Sequence, residues 1–576
     1  MAKWFIRAKE SDIVKNDLGI DPTIAYIMKT RGISEDKMPD FLCVHPKTTY
    51  DPFLLPDFKE AVELILDAAE KKERVCVYGD YDADGITATS VLIQVFSRIF
   101  DNFEYYIPCR FTDGYGLNKE AIKTIRSHGT DLLITVDCGS TSRDEVAYAK
   151  ELGMRVIVTD HHTPSEDHGP ECLFINAKRE DSVYPFKDLC GCGIAFKLAQ
   201  GIERTLAARG DLRFTKKELF PLLDLVAIAT VADVVPLIDE NRSLLKYGLE
   251  YINRRTNPGL KCLLSMLNCE ETVIDSDRIA YMIAPNINAL GRMGTARISA
   301  ELFSGFRSDG TPAGVLCDLA RQMVESNKQR REEQEKAFEV CDQALKAEDC
   351  GELFPVIYAF GAHEGVTGIV AGNLKESLYR PVCIVTPCED GSLKGTGRSI
   401  PGVNLYEALD SCSELFLRFG GHAGACGFSI EPENVPELRA RLQKYMKDLT
   451  DANPELLCEK LCIEKELCAS EKNLEFARQL ALLEPFGEAN ERPVFCIMDA
   501  EVGCVRYMGC DNQHLKLTAR THDGIWLDCV LFRKAAKYGP LLENAHRVHI
   551  AGELNINHFN GCDKLQLIVR DIKGAD

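Results

Sequence analysis

The chain has 576 residues, 45% of them hydrophobic, and a formal net charge of −20. This length exceeds what one hydrophobic core supports and predicts about three to four domains. The acidic charge argues against indiscriminate nucleic-acid binding, although it leaves room for a locally basic groove. No stretch approaches the roughly 18 apolar residues that cross a bilayer, and residues 1–7 lack the apolar core of a secretory signal, so we expect a cytoplasmic protein.

In chain order, residues 1–70 show helical patterns and predict a helical lead-in. From about 71 to 240 strand patterns alternate with helical ones, which predicts an α/β domain around a mostly parallel sheet. Helices are expected at 57–72, 87–100 and 143–152. The 24 cysteines are scattered and form no CxxC pair, so we expect reduced thiols rather than a disulfide framework or a zinc site.

The first apolar run of this region ends in Gly79-Asp80-Tyr81-Asp82-Ala83-Asp84-Gly85. Three carboxylates within five residues repel one another, and bringing them together is costly without a cation. Taken alone, this segment is either a solvated acidic loop or a metal site.

Two later apolar runs end in the same way, the first in Asp137 and the second in Asp160-His161-His162. A fourth apolar segment, 225–236, carries a single acidic residue, Asp233. Ligands of open α/β sheets bind outside the carboxyl ends of the strands. The repetition therefore predicts a metal site at this edge of the sheet.

Carboxylates combined with one or two imidazoles suit Mn²⁺ or Mg²⁺ better than metals that prefer thiolates. Asp137, at a central strand end, is placed to bridge two ions, and two ions about 3.5–4 Å apart clamp the attacking and leaving oxygens of a phosphoryl displacement. One of the two histidines is expected to be a ligand and the other to face the substrate, while Asp160 orients an imidazole.

Three glycine-rich segments carry cationic or polar side chains: Arg292 within 285–294, Arg398 within 394–399 and His422 within 419–424. Read as loops, each is an ordinary turn when taken singly. Glycine lets the backbone approach a phosphate and arginine binds it in a bidentate manner. Beside a two-metal site, the three segments point to a phosphorylated polymer or a nucleotide as substrate.

The second half of the chain predicts a long polar helix, 316–346, of the kind that bridges two domains. Strand-like segments at 354–358 and 381–385 predict a second α/β domain. From about 455 a short helix at 471–482 precedes short strands, including 513–520 and 564–569, which predict a small OB-like β-barrel.

Taken together, these residues resemble the DHH phosphoesterase superfamily, and most closely its RecJ exonucleases. The segments that resemble the four metal motifs are GDYDADG (79–85), DCGS (137–140), DHH (160–162) and TVADVVPL (230–237). Further segments that resemble RecJ are RFTDGYGL (110–117), CGCGIAFKL (190–198), PNINALGRMG (285–294), HEGVTGIVA (363–371), KGTGRSI (394–400), GGHAGACGF (420–428) and LEPFGEANERPVF (483–495).

The resemblance implies an α/β fold in several parts: a parallel-sheet DHH catalytic domain (71–312), a long connecting helix (313–350), a DHH-associated substrate-binding domain (351–450) and a C-terminal OB-like β-barrel (455–576). It implies 5′-to-3′ degradation of single-stranded DNA to mononucleotides, in recombination and repair, with two Mn²⁺ or Mg²⁺ ions. It further implies a single-strand-binding protein and a RecQ-type helicase as partners. We expect a monomer, because the groove expected between the two α/β domains needs no second copy.

The resemblance also implies a role for individual residues. One ion is expected on Asp84, Asp137, His161 and Asp233, and the second on Asp80, Asp82 and Asp137. His162 is expected to face the scissile phosphate, supported by Asp160. The residues expected to bind the substrate are Arg110, Asn288, Arg292, Thr396 and Arg398 at the 5′ phosphate, Gly421 and His422 along the strand, and Arg506 and Phe559 in the OB domain.

Two other readings remain open from the sequence. One is a superfamily member with a small substrate, such as an oligoribonuclease, a cyclic-dinucleotide phosphodiesterase or a pyrophosphatase; the OB-like tail and the long helix argue against it. The other is a strand-binding scaffold on a degenerate DHH fold. The presence of every metal-ligand residue type argues against a scaffold, and only the acidic charge favours it.

Overall fold

The computed structural model describes residues 2–9, 12–13, 17, 19–114, 116–164, 169–294, 296–347, 350–388, 390–559 and 561–575. Residues 3–324 and 462–576 form one compact unit, and residues 325–461 form a second. The predicted catalytic and OB-like regions thus belong to the same unit. The side chain of Phe559 lies outside what is described.

The N-terminal region is helical except at its start. Its elements are β1 (Lys3–Ile6), α1 (Pro22–Thr30), α2 (Met38–Leu42), a 3₁₀ turn (Pro52–Leu54) and α3 (Phe58–Glu70). Strand β1, which the helical lead-in did not predict, pairs with a strand far along the chain, residues 460–463. Pairing over so long a separation leaves no signal in the local sequence pattern.

A five-stranded sheet forms the centre of the first unit. Its strands are β2 (Val75–Tyr78), β3 (Phe103–Tyr106), β4 (Leu132–Val136), β5 (Arg155–Thr159) and β6 (Leu173–Ile175). The order is β3-β2-β4-β5-β6, and all neighbours are parallel. Every residue of β2 and β4 is buried, as expected for parallel strands covered on both faces. The predicted parallel α/β sheet is confirmed.

Helices cover both faces of this sheet and extend beyond it. They are α4 (Ala83–Ile99), α5 (Lys119–Ser127), α6 (Arg143–Glu151), α7 (Gly191–Ala208), α8 (Lys216–Leu219), α9 (Leu223–Ala232), α10 (Asp239–Arg254), α11 (Pro258–Met266), α12 (Ser276–Arg278), α13 (Ala284–Arg292) and α14 (Arg297–Ser304). A π-helical turn, Ile279–Ile283, leads into α13. The apolar segment around Asp233 is thus helix α9, and the predicted helices 57–72, 87–100 and 143–152 are present as α3, α4 and α6.

The predicted long polar helix is α15, Leu316–Ala347, which begins in the first unit and continues into the second. The second unit further contains β7 (Val356–Tyr358), α16 (Glu364–Leu378), β8 (Val382–Pro387), β9 (Leu393–Arg398), α17 (Leu405–Asp410), β10 (Phe416–His422), β11 (Ala425–Ile430) and α18 (Val435–Ala452). Strand β12 (Lys460–Ile463), which pairs with β1, begins in the second unit and ends in the first. Strands β7 to β11 form one sheet in the order β10-β11-β9-β8-β7, antiparallel except between β7 and β8.

The three glycine-rich segments are not the loops that the sequence predicted. Residues 284–292 are helix α13, residues 393–398 are β9, and residues 416–422 are β10. Glycine in a strand marks a close approach by a neighbour. At Gly395, for example, a Cβ atom would come within 2.1 Å of the Phe428 ring on β11, so the ring occupies the missing side chain's space.

The C-terminal part of the first unit is a barrel. Helix α19 (Leu474–Leu480) precedes β13 (Phe495–Met508), β14 (His514–Arg520), β15 (Trp526–Leu531), α20 (Ala535–Asn544), β16 (Arg547–Phe559) and β17 (Cys562–Gly574). The strands close in the order β13-β14-β15-β17-β16, with β16 pairing back onto β13. This closed five-stranded barrel confirms the OB-like prediction.

One cysteine pair departs from the expected reduced thiols. Cys262 on α11 and Cys317 at the start of α15 form a disulfide with a Cα–Cα distance of 5.1 Å. The other cysteines within the described residues form no disulfide. Among the helices that the structure describes, none is both long enough and apolar enough to cross a membrane.

Candidate metal centre and active site

Three neighbouring strands of the parallel sheet deliver acidic side chains to one edge. Asp80 follows β2, Asp137 follows β4 and Asp160 follows β5, each just beyond the carboxyl end of its strand. Since these strands are adjacent and parallel, their carboxyl ends coincide in space. The sequence prediction of a shared site at this edge is therefore confirmed in its geometry.

Helix α4 begins inside the same cluster. Asp82 is its N-cap, and its Oδ1 accepts hydrogen bonds from the backbone N–H groups of Asp84 (2.9 Å) and Gly85 (3.1 Å). A Cβ atom at Gly85 would lie 2.6 Å from the backbone nitrogen of Asp80, so only glycine allows this tight strand-to-helix turn. The turn brings all three carboxylates of the Asp80–Asp84 segment to the sheet edge.

Two positions near the cluster adopt left-handed backbone conformations. Asp137 has a φ of 60°, and Val234, next to Asp233, has a φ of 56°. Such values are uncommon for non-glycine residues and are strained for a β-branched one. Asp233 itself caps the C-terminus of α9, so the lone acidic residue of that apolar segment is both a helix cap and a member of the site.

The imidazole of His161 lies at the centre of the cluster. Its Nε2 is 3.1 Å from Asp137 Oδ1, 3.6 Å from Asp233 Oδ2 and 3.7 Å from Asp84 Oδ2. Three sets of ligand atoms each lie within 4.8 Å of one another: Asp84, His161 and Asp233; Asp80, Asp82 and Asp137; and Asp137, Asp160, His161 and His162. The first set contains three of the four residues expected at one ion and lacks only Asp137. The second set contains all three residues expected at the other ion.

The donor atoms fit a hard divalent cation. Oδ1 of Asp80, Oδ1 of Asp137 and both ring nitrogens of His161 are buried and have no hydrogen-bond partner. Buried polar atoms without a partner are rare, and bound cations would satisfy the two carboxylate oxygens and His161 Nε2, the ring nitrogen that faces the carboxylates. The three sets contain oxygen and nitrogen donors and no thiol, which is the ligand type that Mn²⁺ and Mg²⁺ accept.

Without a cation the carboxylates resist ionisation. Burial, followed by repulsion from neighbouring carboxylates, raises the pKa of Asp80, Asp84 and Asp137 well above the usual value. The same two causes raise the pKa of Asp233 to about 7. Burial lowers the pKa of His161 to about 3, so this imidazole is neutral and able to bind a metal.

His162 is in a different state from its neighbour. Its Nδ1 lies 2.8 Å from Asp160 Oδ1. Burial opposes a charge on the ring, but the hydrogen bond and charge of Asp160 prevail and raise the pKa of His162 to about 8. Burial alone would raise the pKa of Asp160. The interaction with His162 and a hydrogen bond from Ser140 nevertheless hold this pKa well below its usual value. The orienting role expected of Asp160 requires this hydrogen bond to His162.

In the first unit, three predicted substrate-binding residues lie around the metal cluster or the loop leading to it. Asn288 on α13 accepts a 2.8 Å hydrogen bond from the backbone N–H of Ala83, between Asp82 and Asp84. The Arg110 guanidinium lies 5.7 Å from the centre of the Tyr81 ring. Arg292 ends α13, one helical turn beyond Asn288.

In the second unit, Thr396 and Arg398 lie together on β9. A Cβ atom at Gly368 of α16 would come within 2.9 Å of Arg398 Nη2 and 3.6 Å of Thr396 Oγ1, so α16 packs closely over both side chains. Gly421 and His422 end β10 and are exposed. Gly421 has a φ of 143°, and His422 Nδ1 accepts a hydrogen bond from the backbone N–H of Gly424.

Sequence reasoning missed several groups that support the cluster. The backbone N–H groups of Gly191 and Cys192 donate to the two oxygens of Asp84. Asn176 donates to Ser140 Oγ (3.0 Å) and to the backbone carbonyl of His162 (2.8 Å). Arg297 joins Arg110 in lining a cavity of about 210 Å³. The CGCG segment at 190–193 was the one available signal, since its glycines precede an apolar helical pattern.

Comparison with known families assigns the three parts of the chain. The family model described as "DHH family, N-terminal domain" matches residues 74–230, "DHHA1 domain" matches 353–448, and "RecJ OB domain" matches 463–571. The fold and the site thus define a phosphoesterase of the DHH class with a DHHA1 domain and an OB domain.

Full-length relatives narrow this class. The chain is 34% identical to the single-stranded-DNA-specific exonuclease RecJ of Bacillus subtilis, over 99% of this chain and 70% of the relative. It is 32% identical to RecJ of Escherichia coli, over 90% of each. The solved structure of RecJ from Thermus thermophilus in complex with Mn²⁺ superposes with a TM-score of 0.82 at 27% identity, covering 100% of this chain and 79% of that one. The chain belongs to the RecJ family of exonucleases.

Proposed function

We propose that this protein is a metal-dependent exonuclease that degrades single-stranded DNA from the 5′ end to mononucleotides, in DNA recombination and repair. The observation that carries the proposal is the buried cluster of carboxylates and imidazoles at the ends of β2, β4 and β5, whose orphaned donor atoms fit a divalent cation. A second structure of RecJ from Thermus thermophilus, solved with Mg²⁺, superposes with a TM-score of 0.76 at 26% identity. Mn²⁺ or Mg²⁺ is therefore the proposed cofactor.

In this proposal the cluster holds two ions. Asp84, His161 and Asp233 hold one, Asp80 and Asp82 hold the other, and Asp137 joins the two. When bound, the ions supply an activated water and neutralise charge on the phosphate and the leaving oxygen. The repulsion among the carboxylates then becomes attraction to the cations, which is how the protein tolerates so many buried acidic groups.

His162 acts on the substrate rather than on the metal. Asp160 fixes the ring through Nδ1 and raises its pKa to about 8, so the imidazole carries a proton at neutral pH. Its Nε2–H is proposed to donate to a phosphate oxygen of the scissile group. A hydrogen bond to a position where negative charge develops lowers the barrier to hydrolysis.

Five residues are proposed to contact the 5′-terminal phosphate of the strand. Arg110, Asn288 and Arg292 come from the first unit, and Thr396 and Arg398 from the second. Arginine binds a terminal phosphate through paired charge-assisted hydrogen bonds, which distinguishes a 5′-phosphate from a 5′-hydroxyl. Gly421 and His422 are proposed to contact the following nucleotides.

Two structural observations favour a long single strand over a dinucleotide or a scaffold role. The closed five-stranded barrel is an architecture that binds oligonucleotides, and a dinucleotide has no use for it. Every carboxylate and imidazole of the two proposed ion sets is present and in place, which a non-catalytic scaffold does not require.

We further propose that the protein works as a monomer in the cytoplasm, together with a single-strand-binding protein and a RecQ-type helicase. An exonuclease specific for single strands needs an unwinding partner to act on duplex DNA. The support for these partners is the likeness to the RecJ family.

The test of the proposed activity is digestion of a single-stranded oligonucleotide with Mn²⁺, labelled at one end in each of two preparations. The expected result is early release of the 5′ label as a mononucleotide, late release of the 3′ label, and no cleavage of blunt duplex or RNA controls. Cleavage confined to di- and trinucleotides would move the protein to the small-substrate class, and binding without cleavage would favour the scaffold.

A further inference from the structure

The N-terminus of α7 meets the metal cluster at a point to which the proposed function assigns no role. Helix α7 is 18 residues long and begins at Gly191, with Cys190 as its N-cap. Its first two backbone N–H groups point at Asp84. We propose that Gly191 is a positioning residue that organises two of the metal-binding carboxylates, Asp84 and Asp137, before any cation binds. This inference deepens the proposed function and rests on it.

The first part of the argument is the hydrogen bonding of Asp84. The N–H of Gly191 donates to Oδ2 at 2.6 Å and the N–H of Cys192 donates to Oδ1 at 2.7 Å. The first N–H groups of a helix have no partner within the helix, and the helix dipole favours a negative charge there. The pair of amides therefore fixes the carboxylate plane of Asp84 and leaves its remaining lone pairs for a cation.

The second part is the space that Gly191 leaves empty. A Cβ atom at Gly191 would lie 2.6 Å from Asp137 Cβ and 2.7 Å from Asp137 Oδ1. Asp137 is 3% exposed, and its Oδ1 has no hydrogen-bond partner. The side chain thus occupies the place of the missing Cβ, and any larger residue would displace the carboxylate expected to bridge the two ions.

A neighbouring glycine in the same helix provides a contrast. A Cβ atom at Gly193 would meet Leu189 Cβ at 3.4 Å and Cys190 Sγ at 3.7 Å, both ordinary van der Waals distances. Neither residue belongs to the metal cluster. The requirement for glycine is therefore specific to position 191 and is not a property of the start of the helix.

The position of α7 is itself fixed by a buried ion pair. Lys197 and Glu240 are both fully buried and hydrogen-bonded to each other, and Lys197 also donates to the backbone carbonyl of Tyr50 (3.0 Å). Glu240 accepts further hydrogen bonds from Tyr184 Oη (2.5 Å) and from the backbone N–H of Tyr50 (2.9 Å). An ion pair with its other lone pairs satisfied holds two helices in one arrangement, which keeps the α7 amides in register with Asp84.

The test compares Gly191→Ala with the matched control Gly193→Ala in the full-length protein. Mn²⁺ affinity of metal-stripped protein is measured by titration calorimetry, the melting temperature is measured without metal, and kcat and KM are measured on single-stranded DNA. Groups that orient metal ligands typically contribute 10–100-fold to metal affinity. We expect Gly191→Ala to lose at least about tenfold in Mn²⁺ affinity and to lose kcat rather than KM, and to melt below the parent because the new Cβ forces Asp137 to shift. Gly193→Ala should match the parent in all three measurements.

A second variant, Cys192→Pro, removes the N–H that donates to Asp84 Oδ1 at a first-turn position where proline is sterically accepted. This variant should also bind Mn²⁺ at least about tenfold more weakly than the parent. If Gly191→Ala does not fold, Cys192→Pro alone tests whether the α7 amides position Asp84. Parent-like Mn²⁺ affinity in either folded variant, or an equal loss in Gly193→Ala, would overturn the proposal. If the parent binds Mn²⁺ but does not cleave DNA, the proposed function fails while the positioning role stands, because its readout is metal binding.

Discussion

The metal cluster of the first unit and the phosphate-binding candidates of the second unit are built in opposite ways. The cluster is buried, with Asp84 and Asp137 only 1% and 3% exposed, and its groups repel one another. The candidates Thr396, Arg398 and His422 lie on strands β9 and β10, and His422 is exposed. The cluster is thus organised in advance for a cation. On the strands, His422 keeps its hydration until a substrate replaces it, and Thr396 and Arg398 are half-buried against α16. Substitutions should therefore affect turnover in the first region and substrate discrimination in the second.

The largest effect is expected from Asp137→Ala. Loss of the carboxylate that joins the two proposed ion sites should reduce turnover by more than about 1,000-fold. Without metal, the same variant should be at least as stable as the parent, because a buried carboxylate with a raised pKa has been removed. Activity is measured by release of labelled nucleotide and stability by thermal melting in EDTA.

Asp131→Ala is the matched control for this change. Asp131 lies at the opposite, amino end of the same strand β4 and contacts Arg74 and Arg126. Its variant should keep turnover near that of the parent. If Asp131→Ala lost as much activity as Asp137→Ala, turnover would depend on the integrity of the whole strand rather than on the carboxylate at its carboxyl end.

The next effect is expected at the 5′ end of the substrate. Removing the guanidinium in Arg398→Ala should reduce the preference for a 5′-phosphate over a 5′-hydroxyl by about 10–100-fold, the usual contribution of hydrogen bonds between charged groups. Competition between the two labelled substrates measures this preference. Arg441→Ala, which removes an arginine paired with Glu414 and Glu437 in the same unit, should leave it intact. An unchanged preference in Arg398→Ala would remove this residue from the pocket.

The free energy of unfolding of the metal-free protein should fall as the pH rises, because groups of the cluster bind protons more tightly in the folded state. Asp233 has a pKa of about 7 when folded, against about 3.9 when unfolded, so its contribution to stability is present in acid and is lost as the pH rises through 7. The pKa of His162 is about 8 when folded, against about 6.5 when unfolded, so its contribution to stability is also lost as the pH rises. From these two groups the melting temperature in EDTA should therefore fall between about pH 4, the unfolded pKa of Asp233, and about pH 8, the folded pKa of His162.

Mn²⁺ should remove most of this pH dependence, because the cation takes the place of the protons on the carboxylates. Asp233→Asn should flatten the dependence even without metal. A melting temperature in EDTA that is constant or rises over this range would contradict the description of the cluster as a set of mutually repelling buried carboxylates.

The smallest effect is expected in the barrel. Arg506 is exposed on β13, opposite Lys516 of β14. Arg506→Ala should raise KM by a few-fold and reduce the salt dependence of single-strand binding by about 0.7 in the slope of log K against log salt, the value for one phosphate contact. Arg547→Ala, whose side chain is paired with Asp499, is the control and should change neither. An unchanged salt slope in Arg506→Ala would place the DNA path elsewhere.

The clustering of the candidate metal ligands could be predicted because the acidic residues follow buried strands or lie in an apolar segment of the sequence. Parallel strands place their carboxyl ends together, so adjacency in space followed from the local pattern. The phosphate-binding segments were wrongly predicted as loops, since glycine is common both in turns and where a neighbour packs closely. At Gly395 the neighbour is Phe428, more than thirty positions away, and such a contact leaves no mark in the local sequence.

The supporting groups were the least predictable part of the site. The α7 amides that bind Asp84 belong to the backbone, so side-chain chemistry gives no sign of them. The pairing of β1 with β12 and the disulfide between Cys262 and Cys317 likewise join segments distant in sequence. Residue type and spacing reveal the ligands, whereas the groups that position them depend on tertiary packing.

The most direct test of the central claim, that the strand-end cluster holds two catalytic cations, is an anomalous difference map from crystals grown with Mn²⁺. The account predicts two peaks about 3.5–4 Å apart, one against Asp84, His161 and Asp233 and one against Asp80 and Asp82, with Asp137 between them. A single peak, or peaks away from the ends of β2, β4 and β5, would contradict it.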